Sequence, residues 1–400
     1  MGIIQTLSKL QNAVASKRVP EFEVPVSKQK AYIARFPEPK DDLQRSYFQY
    51  LTQAMLRGRL MNSLVSVASL PVTALMLLKF RRASAPEKEA PCDNRAVFFR
   101  DGKPANIMPN VLKEEFAECV VDPVEGNCLH KEDMKLIWEL IRRYPFSWQL
   151  ILKCVIKIAR YRYAIEKYAP KALIVCNEYS FTSSVLTQFC ERNGVELINV
   201  MHGEKFYFVR DSFFRFHRCY VWDENYQRLL ENMRAEPTQF RIAVPESLRF
   251  CMTEIPEKRH DYTYYLGYET PEALTKLPAI LRKLQAQGAA VNVRPHPRYT
   301  NMTVLAEHYQ GIHIEDPSTV TIEMSILQTR AAVSLASTVL LQAYYNGVPI
   351  VIDDVTDPAQ FAKLREVEYA LLDVEHKLLS EVLRCPNRSF YPGNPDNVNI

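Results

Sequence analysis

Glycine is scarce in this chain, at 11 of 400 residues, and the 25 prolines follow no period, which excludes collagen-like and low-complexity architectures. The nine cysteines form no CxxC pair and no His/Cys cluster, so the usual spacing of a zinc site is missing and no metal is expected. Their odd number, without a secretory signal, fits reduced thiols in a cytosol. No Lys/Arg-rich patch with interleaved aromatics marks a nucleic-acid surface. No repeat recurs at solenoid spacing. What is present is a soluble globular composition, 47% hydrophobic and 24% charged, over a length that suits two domains.

The net charge of +4 hides an asymmetry. Residues 1–82 carry 13 Lys/Arg against 5 Asp/Glu, an excess of +8 that leaves −4 for the rest. Met1-Gly2-Ile3-Ile4-Gln5-Thr6 formally matches an acylation pattern, though matches this short arise by chance. Residues 1–50 are polar and proline-punctuated, with helical signals at Ile3–Val14 and Asp42–Arg57. From Leu60 to Leu78 there is no charge, a length at the lower limit of a membrane span. Within it Asn62, Ser66, Ser69 and Thr73 fall at helical spacing and predict one polar stripe, with a kink at Pro71. Arg57 and Arg59 precede the run; Lys79, Arg81 and Arg82 follow it. Positive charge at both ends sets no orientation. It suits a helix lying on an anionic membrane surface. Burial between domains or in a homodimer, and a true span, are the alternatives.

Pro86–Asn94 reads as a linker, so residues 1–94 form a helical, basic N-terminal extension. An α/β pattern then covers 95–240: strands at Ala96–Phe99, Glu118–Val121, Ala172–Cys176, Glu196–Val200 and Cys219–Trp222, separated by helical stretches. In the helix over 147–168, Lys153, Lys157 and Arg160 share one face, read as solvated. Residues 240–260 are irregular and serve as a crossover. Residues 241–400 repeat the alternation with strands at Tyr262–Leu266, Ala289–Val293, Ile312–Ile314, Ala331–Leu335 and Val348–Ile352. Short apolar strands between longer helices predict parallel doubly wound sheets. The fold class is α/β: two Rossmann-like domains facing a central cleft.

Two motifs stand where a strand of the second domain ends and a helix begins: Arg294-Pro295-His296-Pro297-Arg298 and Ser334-Leu335-Ala336-Ser337-Thr338. That edge of a parallel sheet is where ligands bind, and a helix N-terminus there suits a phosphate. A nucleotide-phosphate site is the leading idea. The arrangement over roughly 95–365 resembles the two-Rossmann (GT-B) glycosyltransferases of bacterial surface-polysaccharide assembly. In the bacterial sialyltransferases and polysialyltransferases a His-Pro motif and a later Ser/Thr pair contact the donor's nucleotide and phosphate; His296-Pro297 and Ser337-Thr338 match them. The passage from Leu341 to Pro349 looks like the helix–Gly–Val–Pro stretch of such domains. His202-Gly203 matches the His-Gly motif of CDP-glycerol glycerophosphotransferases. The acidic pair that sialyltransferases place before a glycine at a comparable position is missing, which leaves the donor open.

Glycosyl transfer needs a base for the acceptor hydroxyl and stabilisation of the departing phosphate. Imidazole suits the first task near neutrality, so His202 is the candidate base, with Glu204 to orient it. Glu178 is the competing base if burial raises its pKa, and Asn177 beside it is placed to bind an acceptor hydroxyl. Arg294, His296, Pro297 and Arg298 form the candidate donor-phosphate loop; Ser337 and Thr338 either bind phosphate or cap the next helix. Tyr265, Gly267 and Tyr268 stand at the first strand end of that domain, with Gly267 assigned to the nucleotide pocket. Asp353-Asp354 reads as a turn or cap rather than a metal site. The expected partners are a nucleotide-sugar co-substrate, CMP-linked first, with no bound cofactor; a glycan or lipid-linked acceptor; and a membrane surface on the cytoplasmic side. A CDP-polyol phosphotransferase, a nucleotide-sugar epimerase and a non-catalytic scaffold are the competing readings.

Overall fold

The computed structural model describes residues 24–123, 125–251, 256–267 and 269–384. The predicted Ile3–Val14 helix, the Gly2 motif and Tyr268 lie outside the described residues. The chain divides into two units, with the boundary between Pro245 and Glu246.

The first unit is built on a six-stranded sheet of β1 (Arg95–Phe98), β2 (Glu118–Val121), β3 (Ala172–Val175), β4 (Glu196–Val200), β5 (Arg218–Val221) and β6 (Phe240–Ile242). Their order is β2-β1-β3-β4-β5-β6, with every pairing parallel. The second unit has β7 (His260–Tyr265), β8 (Val291–Arg294), β9 (His313–Ile314), β10 (Thr329–Ser334), β11 (Ile350–Ile352) and β12 (Lys377–Leu378). It is also parallel throughout, in the order β12-β11-β10-β7-β8-β9. The central strands are buried on both faces, which is why β3 reads Ala-Leu-Ile-Val without alternation. Each Leu, Ile or Val side chain so buried stabilises by about 1.5–3 kcal/mol.

The predicted strands are present with slightly shifted ends, and β6 and β12 are additional. Phe240–Ile242 was expected to be irregular and to straddle a domain limit. It pairs instead with β5, Cys219 opposite Phe240, and closes the first sheet. Only Phe240 of its three residues is buried, so an edge strand this short carries no readable alternation.

The N-terminal helices are bonded to the rest of the first unit. Asp41 caps helix Asp42–Arg57, accepting from Gln44 N at 2.9 Å. Gly58 at φ +85° turns the chain into the next helix, Arg59–Arg82, a backbone conformation that favours glycine. From the first helix, Gln49 Nε2 donates to the carbonyls of Glu178 (2.9 Å) and Arg210 (3.0 Å), and Gln53 Nε2 to that of Tyr179 (2.8 Å). Arg45 pairs with Glu236 at 2.6 Å, and Asp42 with Arg215. The helix is thus bonded to the loops that carry the first unit's site.

Each sheet has a strand from which the chain leaves first to one side and then to the other. In the first unit the reversal lies between β1 and β3, and in the second between β7 and β10. The loops after these strands form the ligand edge of an open parallel sheet.

Candidate functional site

In the first unit, β3 and β4 are neighbours in register, Val175 opposite Asn199, so their C-terminal ends lie side by side. After β3 come Cys176, Asn177 and Glu178; after β4 come Met201 and His202. The pairing puts His202 Nδ1 3.4 Å from Glu178 Oε1, an ion-pair distance. Lys205 Nζ is in direct contact with the same carboxylate oxygen and stands 3.6 Å from Asp211 Oδ2. Asn199 Nδ2 donates to Glu178 Oε2 at 3.1 Å, while its Oδ1 accepts from Asn177 N at 2.7 Å. Glu178, Lys205, Asp211 and Asn199 are all buried; the His202 side chain remains 19% exposed.

Burial by itself would raise the pKa of Glu178, but the Lys205 ammonium and then His202 outweigh it and hold the carboxyl well below the usual range. Burial disfavours the Lys205 charge in the same way, and Glu178 and Asp211 overcome that and raise its pKa. This corrects the expectation that Glu178 competes as a base. A carboxylate locked in its charged form by a buried ammonium is too weak a base for a sugar hydroxyl. A carboxylate oxygen beside Nδ1 belongs to Glu178, a second acidic neighbour for His202 besides Glu204, which is half-buried two residues on. A carboxylate next to Nδ1 favours the proton there and leaves Nε2 with its lone pair. Asn177 is buried rather than displayed.

A cationic collar surrounds this edge. The Tyr179 ring packs edge-on to His202 at 6.1 Å, with the Arg210 guanidinium 5.4 Å and Lys103 Nζ 6.0 Å from its centre. Lys157 Nζ donates to Ser180 Oγ at 3.4 Å. Arg160 lies over Phe99 and pairs with Asp101 (3.3 Å) and Glu125 (3.0 Å). The face of Lys157 and Arg160 was expected to be solvated; it turns instead toward the β1–β3 edge. Burial pushes the Lys157 pKa from 10.5 down to about 8, with Asp101 offsetting only part of the effect. Between those two values the folded chain has released a proton that the unfolded chain retains, so stability is expected to rise with pH across that window. Thermal melts at stepped pH check this, and Lys157→Met removes the slope.

In the second unit, Gly267, His296 and Ser337 follow the adjacent strands β7, β8 and β10 and share one edge. His296 N donates to Thr300 Oγ1 at 2.7 Å, and its Nδ1 accepts from Arg298 N at 3.1 Å. The ring stacks on Tyr299 at 4.3 Å. With Nδ1 accepting, the proton sits on Nε2. Burial, and then Arg298, lowers the pKa, so the ring is a neutral donor at pH 7. Pro297 and Arg298 are exposed. Ser337 caps helix Thr338–Tyr345, accepting from Val339 N at 3.3 Å, and Thr338 is exposed on its first turn. Gly267 N donates to both Glu269 carboxylate oxygens at 2.8 Å, and burial raises the Glu269 pKa.

Arg294 does not belong to this loop's ligand set. Its guanidinium is buried, contacts Glu315 directly and donates to Val320 O at 2.9 Å. Tyr265 is likewise internal, its hydroxyl 3.2 Å from Ser325 Oγ. Asp353 and Asp354 act as turn residues: Asp353 Oδ1 accepts from Val355 N (2.8 Å) and Thr356 N (2.9 Å), and Asp354 accepts from Ser380 N (2.9 Å) and Oγ (2.6 Å). Lys205, Asn199, Glu269 and Glu315 escaped the sequence reading. A lysine just before the apolar run Phe206–Val209 was the available signal, since a buried ammonium requires a carboxylate.

No protein-family model matches the sequence, and no curated protein matches it. Among solved structures, the chain is similar to the UDP-GlcNAc 2-epimerase of Methanocaldococcus jannaschii at 11% identity, over 73% of this chain and 91% of that one, with a TM-score of 0.39. It is similar to the calicheamicin glycosyltransferase CalG4 at 11% identity, over 72% and 86%, with a TM-score of 0.41. It is similar to the glycosyltransferase SnogD from Streptomyces nogalater at 11% identity, over 73% and 98%, with a TM-score of 0.40. Likenesses at this level carry no argument about activity. The two-sheet α/β class stands on the chain's own strand order.

Proposed function

We propose that this protein is a glycosyltransferase that moves a sugar from a nucleotide-activated donor, CMP-linked first, onto a growing bacterial surface glycan such as capsule or lipopolysaccharide. The observation that carries the reading is the partly exposed His202 at a strand end, backed at Nδ1 by the buried, ionised Glu178. In the step, His202 Nε2 takes the acceptor hydroxyl proton as that oxygen bonds to the anomeric carbon. The bond from that carbon to the phosphate oxygen breaks, and its electron pair stays on the phosphate. His296 Nε2–H, Ser337 and the following helix N-terminus are suited to the phosphate charge, with Arg298 beside them. No cofactor or metal is assigned to the step.

The cationic collar of Lys103 and Arg210 near His202 favours one second reading, a CDP-polyol phosphotransferase. Product analysis separates the two. Thermal shifts against CMP, CDP, UDP and GDP identify the nucleotide, and a glycosidic product without phosphorus supports glycosyl transfer. A phosphodiester in the product, seen by 31P NMR, replaces it with the second reading. No nucleotide binding at all would remove both.

His296→Ala is expected to weaken nucleotide binding by roughly tenfold to a hundredfold, the range of about 1.5–3 kcal/mol for a hydrogen bond to a charged group. Calorimetric titration reads this directly. Normal affinity in the variant would remove His296 from the phosphate site.

A further inference from the structure

Helix Arg59–Arg82 is amphipathic in the reverse of the usual sense. Its polar stripe faces inward: Ser66, Ser69 and Thr73 are buried together with Val65 and Val72. Ser66 Oγ donates to Phe146 O at 2.7 Å and accepts from Trp148 N at 2.8 Å; Ser69 and Thr73 donate to Val65 O and Ser69 O within the helix, both at 2.7 Å. The apolar stripe faces outward. Leu60 is 77% exposed and Val67 71%, and Leu64, Leu70, Leu75 and Leu78 are exposed with them. Such a face on a helix surrounded by water would be polar.

A second helix supplies charge beside it. Phe80 O accepts from Leu129 N at 3.1 Å at one end, and Ser66 holds Phe146 and Trp148 at the other. Helix Lys131–Arg143 is therefore bonded to the first helix through the loops at both of its ends. Its exposed Lys131, Lys135, Trp138 and Arg142 recur at helical spacing and share one face, and Phe146 beyond it is 88% exposed. Lys79, Arg81 and Arg82 are exposed at the end of the first helix, and no Asp or Glu occurs between Asp42 and Glu87.

We propose that the exposed face of Leu60–Leu78, with Phe146 and the flanking basic residues, docks on an anionic lipid bilayer. Exposed apolar side chains, an aromatic anchor at Phe146 and the cations at the end of the first helix match the headgroup boundary; on helix Lys131–Arg143 the carboxylates Glu132 and Glu139 stand beside the cations. The inward face is bonded to the rest of the first unit through Ser66, so the helix lies in the boundary and does not span. A second copy is a poorer occupant, because a twofold contact would bring like-charged clusters together. The inference is independent of the catalytic reading, since its test measures binding and not turnover.

The experiment is flotation of the full chain with vesicles of phosphatidylcholine alone and of phosphatidylcholine with phosphatidylglycerol. Binding is expected to the anionic vesicles, at least tenfold weaker without phosphatidylglycerol, and reduced by high salt. Leu64→Asp with Val67→Asp is expected to lose binding at least tenfold while circular dichroism is unchanged. Lys79→Glu with Arg82→Glu is expected to lose the preference for anionic lipid. Wild-type binding by the Leu64/Val67 variant overturns the proposal. So does a wild-type chain that ignores both vesicles and runs as a dimer that Leu64→Asp dissociates, which would assign the face to a second copy.

Discussion

Replacement of His202 by alanine is expected to reduce turnover by roughly a hundredfold or more, the range for a lost general base, while nucleotide affinity stays as it was. The two effects separate because His202 belongs to the first unit, whereas the residues suited to phosphate belong to the second. Single-turnover rates beside a nucleotide titration measure both. Full turnover by His202→Ala would remove the imidazole from the chemistry. The base would then have to be sought outside Glu178, whose carboxylate is committed to Lys205 and Asn199.

The second large effect is on stability. Among the described residues, Glu178→Ala leaves the Lys205 ammonium in a buried site with Asp211, 3.6 Å away, as its remaining ion-pair partner. Breaking a buried pair on one side costs about 3–5 kcal/mol. For a unit of this size that is a fall in Tm of roughly 6–20 °C. Glu178→Leu combined with Lys205→Met, which removes both charges, is expected to recover most of the loss without restoring turnover, because His202 stays unoriented. The pH dependence has a fixed sign. The folded carboxyl titrates below its unfolded counterpart, so its contribution is present above the ordinary value of 4.5 and drains away as pH falls below it. An unchanged Tm in Glu178→Ala would show that the pair does not hold the loop.

Much of the fold was legible in the chain. Apolar runs such as Ala172–Val175 and Ala331–Val333, each followed by a helical stretch, dictate parallel strands buried on both faces. Histidines at strand ends marked both edges. The partners of His202 and Arg294 were not legible, because they arrive from neighbouring strands. Glu178 reaches His202 only because β3 pairs with β4. Arg294 is consumed by Glu315 only because Asn292 and Val293 of β8 lie opposite His313 and Ile314 of β9. Proximity in the motif suggested a phosphate for Arg294, and strand order decided otherwise.

Helix Arg59–Arg82 shows where the division falls. Spacing along the sequence fixes which residues share a face: Ser66, Ser69 and Thr73 on one, Leu60, Leu64 and Val67 on another. It does not say which face is covered. That depends on what lies alongside, and here the Phe146 carbonyl and Trp148 amide need a hydroxyl that Ser66 supplies. Even a part-buried backbone group left without such a partner is costly, so the polar stripe turned inward and the leucines were left outside. Periodicity is a property of the chain, whereas the choice of buried face follows from the hydrogen bonds that tertiary packing has to satisfy.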